Sequence, residues 1–201
     1  YGRQISMDDS YLNTDLTAAY HESGHAVALL HCGRRVNQVV IGNDGYGSGR
    51  AYHNHFLDTL PKVFPRTEPG IELCWKIILS ALSEELMISL SGPITEAQFL
   101  GKKHYSPESQ SDFETCKYHQ ELIKNVWNEF NNHCEMPRFC PNEFYFKIEK
   151  DTWIWVNQQN VWVQIQSLAN CLHKFKSLNE DLIGFMVGNA NRNKYQRFFL
   201  F

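Results

Sequence analysis

The amino-acid sequence lacks several features that would place it in a function class at first sight. It has no stripe of basic residues: its 19 lysines and arginines are scattered over 201 residues, and its formal net charge is −3. Nucleic acid is therefore not an expected partner, and neither is a polybasic membrane anchor. No internal repeat or low-complexity tract is visible either, so nothing indicates a repeat architecture.

A long uninterrupted apolar run is also missing. The most apolar segment, from about Trp75 to Leu90, is broken by five polar or charged residues: Lys76, Ser80, Ser83, Glu84 and Glu85. Because a membrane span needs about 20 consecutive, mostly apolar residues, we expect no span in this chain. A helix buried mostly inside protein is the alternative.

The six cysteines form no C-x-x-C motif, and no secretory signal is recognised. The default interpretation is reduced thiols and a cytoplasmic location. Cys134 and Cys140, the closest pair, are a minor candidate for a disulfide or a metal site.

What the sequence does have is enough apolar character to bury a core, with 43% hydrophobic and 20% charged residues. We expect a flexible N-terminal segment (1–13), one domain (14–190) and a C-terminal tail (191–201). Helical spacing of apolar residues dominates, so the predicted class is mainly α (α+β), with a small β-hairpin or sheet beside the first helix.

The predicted elements follow from caps, breakers and β-branched runs. We expect a first helix from Thr14 or Asp15 to His31, and a long helix from Ile71 to Ser91 that ends at Gly92-Pro93. Two S-x-x-E capping boxes predict helix starts just before Asp112 and near Ser177. The remaining predicted elements are a strand at Val36–Gly42, a returning strand at Arg50–His55 and a short helix at Thr95–Leu100.

The stretch AAYHESGHAVALLH (residues 18–31) carries the chemistry. His21 and His25 lie four residues apart, so a helix places both imidazoles on one face, and Glu22 borders them. An H-E-x-x-H helix of this kind is typical of zinc metalloproteases, in which the glutamate is the general base for a metal-activated water. The competing interpretation is an exposed helix that merely contains histidines.

Two details favour the metal site. The flanking residues are apolar, which indicates a buried helix. Gly24 lies in the middle of that helix, where it costs about 1 kcal/mol relative to alanine. A buried helix accepts that cost when something packs closely against its backbone.

A catalytic zinc needs a third protein ligand. His31 stands at the last histidine position of the pattern H-E-x-x-H-x-x-G-x-x-H, but Ala28 replaces the glycine and the helix continues. That pattern is therefore absent, and we expect the third ligand to come from elsewhere. The candidates are Glu84, Glu85, Glu96, Asp112, Glu114 and the pair His53/His55.

AYHESGHAVA resembles the protease domain of the FtsH-type ATP-dependent zinc proteases, in which this helix reads close to AxHEAGHA. VVIG through GSGRAY resembles the hairpin that follows. LSGPITEAQFLG (90–101) is similar to the family's LAGRxAEExxFG segment, and ESQSDFETCKYH (108–119) to its ASNDLxxAT segment. IQSLANCLHKFKSLNEDLI (165–183) resembles its last helical pair. The likeness covers most of residues 15–185.

The resemblance implies a zinc cofactor, with Asp112 as the third ligand and Glu96 as a carboxylate that orients a ligand imidazole. The alternative interpretation is an acidic residue favoured by the helix dipole for Asp112, and a surface glutamate for Glu96. This sequence departs from the family at Pro93, where the family has arginine, and no G-x-x-x-x-G-K phosphate-binding loop occurs. Besides a polypeptide substrate, the candidate partners are a separate ATPase that acts in trans and further copies of the same chain.

Other residues have weaker assignments. The strand residues Val39, Val40 and Ile41 are predicted to form an exposed edge that accepts an extended peptide substrate. His53 and His55 are a minor candidate for a second metal site, and a polar strand face is the alternative. Three tryptophans, Trp153, Trp155 and Trp162, are predicted to be core or interface residues.

The sequence therefore predicts a zinc metalloendopeptidase that hydrolyses peptide bonds in extended or unfolded polypeptides. Its site is Glu22 as base with His21, His25 and Asp112 as ligands. The alternatives are a protease-like protein that binds a peptide or a partner without cleaving it, and a protein whose zinc only staples helices.

Overall fold

The structure, a computed structural model, describes residues 7–42, 49–52, 68–105, 110–133 and 139–188. Within these residues the chain is mainly helical with one small antiparallel sheet, which confirms the predicted class. The helices are α1 (Met7–His31), α2 (Glu68–Phe99), α3 (Gln110–His133), α4 (Pro141–Val156), α5 (Gln159–Phe175) and α6 (Glu180–Val187). The strands are β1 (Gln38–Ile41), β2 (Gly49–Tyr52) and β3 (Ser177–Asn179).

Helix α1 begins earlier than predicted, at Met7 instead of Thr14 or Asp15. Residues 7–13, predicted to be irregular, contain no glycine or proline, so nothing in them stops the helix. The predicted end at His31 is confirmed, and Gly33 follows with a φ of 73°, a left-handed conformation that suits glycine. The remaining predicted N-terminal residues (1–6) and the tail (191–201) lie outside the described residues.

Helix α2 corrects a second prediction, since it continues through Gly92 and Pro93 to Phe99. A proline inside a helix costs about 3 kcal/mol because it has no N–H and crowds the preceding turn. The surrounding side chains are almost completely buried, among them Leu86, Leu90 and Ile94. Burial of each such side chain contributes roughly 1.5–3 kcal/mol, which is enough to offset the proline.

Helix α2 is also long and apolar enough to cross a membrane by length and composition alone. However, 83% of its most apolar window is buried inside the protein, as in the core helix of a globular domain. The expected absence of a span therefore stays a prediction.

The sheet has the order β2-β1-β3, so β1 is its central strand. Val39 pairs with Ala51 of β2 on one side and with Leu178 of β3 on the other. The prediction that Val39, Val40 and Ile41 form an exposed edge is therefore wrong, because backbone pairing already occupies both sides of the strand. The main-chain N–H of Ile41 donates to the Lys176 carbonyl at 2.9 Å.

The helix start predicted from the second capping box, near Ser177, is also wrong. Ser177 lies in the strand, and α6 starts at Glu180, two residues later than a cap at Ser177 would place it. Asn179 is the residue that caps α6, since its side chain accepts a hydrogen bond from the Leu182 N–H at 3.1 Å.

Helix α1 occupies the centre of the fold, with α2 and α5 packed against it and β1 and β2 beside it. Tyr20 of α1 stacks on Phe99 of α2 at a centroid distance of 4.0 Å and on Trp162 of α5 at 5.7 Å. Trp155 is buried, and Trp153 and Trp162 pack against the core, so the predicted core placement holds for all three. The motif helix is thus held on several sides by rigid elements.

Candidate metal centre

Helix α1 presents His21 and His25 on one face, one turn apart, toward α2 and the start of α3. The two Nε2 atoms are 3.1 Å apart. Asp112, which lies in the first turn of α3 as predicted, places its Oδ2 atom 2.8 Å from the His21 Nε2 and 3.6 Å from the His25 Nε2. Three side chains from two helices therefore converge on one point.

The hydrogen bond made by Nδ1 of each ring determines whether the Nε2 atom of that ring carries a lone pair or a proton. Nδ1 of His25 lies 2.7 Å from the Ile88 carbonyl oxygen, and Nδ1 of His21 lies 2.9 Å from the Glu96 Oε2. Both oxygens accept hydrogen bonds, so each Nδ1 donates a proton, and a neutral ring then carries a lone pair at Nε2. Two nitrogen lone pairs and one carboxylate oxygen thus face each other.

Such an arrangement requires a positive charge between the three atoms, either a proton or a metal ion. Ligands about 2.0–2.1 Å from a tetrahedral zinc lie roughly 3.3 Å from each other. The three observed separations, 2.8, 3.1 and 3.6 Å, bracket that spacing. His21, His25 and Asp112 can therefore hold a metal ion, and no other such group exists in the described part of the chain.

In the absence of a metal ion, protons on the imidazoles supply the positive charge between these atoms. Burial alone lowers the pKa of His21, but hydrogen bonds with Asp112 and Glu96 outweigh it and raise the pKa to about 10. Burial likewise opposes a charge on His25, and the Asp112 carboxylate still raises the pKa of His25 above its ordinary value. Burial alone raises the pKa of Asp112, but the two imidazoles hold it well below its usual range.

Glu22 lies at the border of this group. It is 6% exposed, and its negative charge contributes to the raised pKa of both His21 and His25, which indicates that its carboxylate is near them. It is not one of the three converging groups. This is the placement expected of a residue that acts beside a metal without ligating it.

Gly24 explains how α1 comes so close to α2. A Cβ atom at this position would lie 2.5 Å from both the Ser91 carbonyl oxygen and the Thr95 Oγ1, too close for any side chain. The prediction that something packs closely against this backbone is confirmed. The crossing brings the face with His21 and His25 against the two turns of α2 between Ile88 and Glu96.

The other candidate ligands lie elsewhere or have other partners. Glu84 and Glu85 form ion pairs with Arg34, at 3.4 and 2.5 Å. Glu114 is exposed. His53, His55 and Cys134 lie outside the described residues, so neither the second-metal prediction nor the Cys134–Cys140 pairing is tested.

Sequence reasoning missed two contributors to the centre. The Ile88 carbonyl is a backbone atom and has no signal in a sequence. Gly92 is the second: the sequence predicts a helix end at Gly92-Pro93, whereas α2 continues and its Gly92 lies against the His25 ring.

No protein-family model matches the sequence, and a search of curated proteins gives no match. The likeness to the FtsH-type protease domain therefore rests on the quoted segments and stays a prediction.

Proposed function

We propose that this chain is a zinc metalloendopeptidase domain that hydrolyses peptide bonds in extended or unfolded polypeptides. The observation that carries the proposal is the convergence of His21, His25 and Asp112 beside the buried Glu22. Two imidazoles and one carboxylate are a ligand set that zinc favours. Three protein ligands, rather than four, leave a coordination position open for chemistry.

Each residue of the group has a distinct role in this proposal. Zinc, when bound, supplies a Lewis acid that polarises a carbonyl and makes water more acidic. Glu22 takes a proton from the attacking water and delivers it to the leaving amine. Glu96 accepts the Nδ1 proton of His21, and the Ile88 carbonyl accepts that of His25, so both Nε2 lone pairs stay directed at the centre.

The sheet supplies a place for an extended substrate, although not the place that the sequence suggested. Within the described residues, the order β2-β1-β3 leaves the outer edges on β2 and β3. Strand β2 also packs beside α1, which carries the histidines. We therefore assign the pairing edge for an extended peptide to β2, because a strand edge binds only backbone with free N–H and C=O groups.

The test compares the wild-type chain with Glu22→Gln. The wild type should contain zinc and cleave a generic unfolded protein, whereas Glu22→Gln should keep its zinc and lose roughly 10²–10⁴-fold in rate. Equal rates for the two proteins would contradict the mechanism. Zinc without cleavage in either protein would favour the non-catalytic binding protein, and four protein ligands would favour a structural zinc.

A further inference from the structure

We propose that Gly92 is a positioning residue of the centre. By lacking a side chain, it leaves the space in which the His25 imidazole lies and so fixes the location of the His25 Nε2. The role in metal binding rests on the proposed function, but the contact between Gly92 and His25 that carries the inference does not.

The contact is specific to the ring. A Cβ atom built at Gly92 has three ring atoms of His25 as its nearest neighbours, Nε2, Cε1 and Cδ2, all within 2.7 Å. Non-bonded carbon atoms normally lie about 3.5–4.0 Å apart. The φ angle of Gly92 is not positive, so its backbone does not require glycine, and alanine is the more favourable residue inside a helix. Space for the ring is the remaining reason for glycine.

Contacts at both nitrogens hold the His25 ring in its position. Its Nδ1 donates to the Ile88 carbonyl at 2.7 Å, while its Nε2 points to His21 and Asp112. Ile88 and Gly92 are four residues apart and therefore lie on the same face of α2. One turn of α2 thus provides both the hydrogen-bond acceptor and the space, and a ring that retreats from a methyl group at Gly92 leaves either Ile88 or the other ligands.

Gly24 provides a matched control in the same helix crossing. A Cβ atom there would meet the Ser91 carbonyl and the Thr95 side chain, and no atom of His25 is among its nearest neighbours. Gly24→Ala and Gly92→Ala each add one methyl group between α1 and α2. Only the loss of stability caused by Gly92→Ala should depend on the presence of the His25 imidazole.

The first measurement is zinc affinity by competition with a chromophoric chelator. Gly92→Ala should weaken zinc binding at least about tenfold, the size seen when the support of a ligand histidine is removed. Ser91→Ala is the control, because the Ser91 hydroxyl donates to the Met87 carbonyl within α2. An unchanged zinc affinity in a folded Gly92→Ala protein would overturn the proposal.

The second measurement is a double-mutant cycle on thermal unfolding with excess chelator, which needs no metal. Gly92→Ala should lower Tm by about 2–12 °C in the wild-type background, the range expected for one overpacked methyl group in a chain of this size. In the His25→Ala background most of that loss should disappear, while the loss caused by Gly24→Ala should persist. Equal losses from Gly92→Ala in both backgrounds would show that the ring is not what the methyl group meets.

The two measurements also separate the two proposals. If the wild-type chain binds no zinc, the proposed function fails, yet the cycle still shows whether Gly92 seats the His25 ring. If zinc binds and the cycle shows no coupling, the positioning role fails and the metal site stands. If Gly92→Ala does not fold, recovery of folding by the added His25→Ala supports the inference, and no recovery overturns it.

Discussion

The Nε2 atoms of His21 and His25 lie 3.1 Å apart while the Nδ1 atom of each ring donates to an oxygen on α2. Two lone pairs at this distance repel each other unless a cation lies between them. The positions of Glu96 and the Ile88 carbonyl therefore make the centre dependent on a bound positive charge.

The first prediction is one zinc per chain. Elemental analysis of the purified protein should find about one equivalent, and His25→Ala should lose most of it because only two ligands remain. His31→Ala is the control, since it removes a histidine from the last turn of the same helix, away from the cluster. Full zinc retention by His25→Ala would refute the assignment of the ligands.

The second prediction concerns Glu96. Glu96→Gln should weaken zinc binding by roughly 10- to 100-fold, because a neutral amide oxygen holds the Nδ1 proton of His21 less firmly than a carboxylate does. The control is Glu121→Gln, which removes the same charge from an exposed position on α3. Equal affinities for the two variants would mean that the hydrogen bond at 2.9 Å does not support the ligand.

The third prediction is that zinc binding releases protons. In the metal-free protein the pKa of His21 is raised from 6.5 to about 10, so this ring holds a proton at pH 7.5 that zinc must displace. The pKa of His25 is shifted in the same direction by the Asp112 carboxylate, against the effect of burial. Calorimetric titration in buffers with different ionisation enthalpies should show release of roughly one to two protons per zinc. No release would mean that both rings are already neutral.

The same pKa shift fixes the sign of the pH dependence. A raised pKa in the folded state stabilises the metal-free protein fully below pH 6.5, and this stabilisation is lost as the pH rises toward about 10. Zinc affinity changes in the opposite direction and increases as the pH rises.

The fourth prediction concerns substrate form. The chain should hydrolyse an unfolded protein without ATP and act little on the same protein when it is stably folded, since a strand edge admits only extended backbone. Digestion of one protein in its wild-type and destabilised forms, with and without ATP, measures this, and Glu22→Gln serves as the blank. Rapid cleavage of the stable folded form would show that access is controlled in another way.

The fifth prediction concerns stability away from the centre. Arg34 follows the turn after α1, and its guanidinium forms an ion pair with Glu85, whose side chain is only 3% exposed. Arg34→Met should destabilise the protein by about 3–5 kcal/mol because it leaves a buried carboxylate without its partner. Chemical denaturation measures the loss, and Arg34→Met/Glu85→Leu should recover part of it. A loss below about 1 kcal/mol for Arg34→Met would indicate that the pair behaves as a solvated surface pair.

The motif helix was predictable from the sequence because its information is local. The spacing of His21 and His25, the apolar flanks and the cost of Gly24 are all contained in one helix. The meeting of Asp112 with these histidines was expected only from the resemblance, since no short-range rule brings together residues 91 positions apart.

The failures occurred where tertiary contacts override local preference. Pro93 stops an isolated helix, and only burial against the rest of the fold carries α2 past it. Strand β3 contains a single apolar residue, Leu178, and it is a strand because β1 pairs with it. For the same reason β1 appeared to be an edge, since the residues that cover it lie far along the chain.

The pairing of β1 with β3 has a consequence for biosynthesis. The side-chain amide of Gln38 in β1 donates a hydrogen bond to the Ser177 hydroxyl in β3, although the two residues are 139 positions apart in the sequence. At a synthesis rate of 5–20 residues per second, β1 waits roughly 7–28 s on the ribosome before its second partner exists. His21 and His25 are made before β1, and Glu96 and Asp112 are added during that interval, while one side of β1 stays open to other nascent chains. An early metal-bound core of α1, α2 and α3 would thus hold β1 in place until the last residues of the sheet arrive.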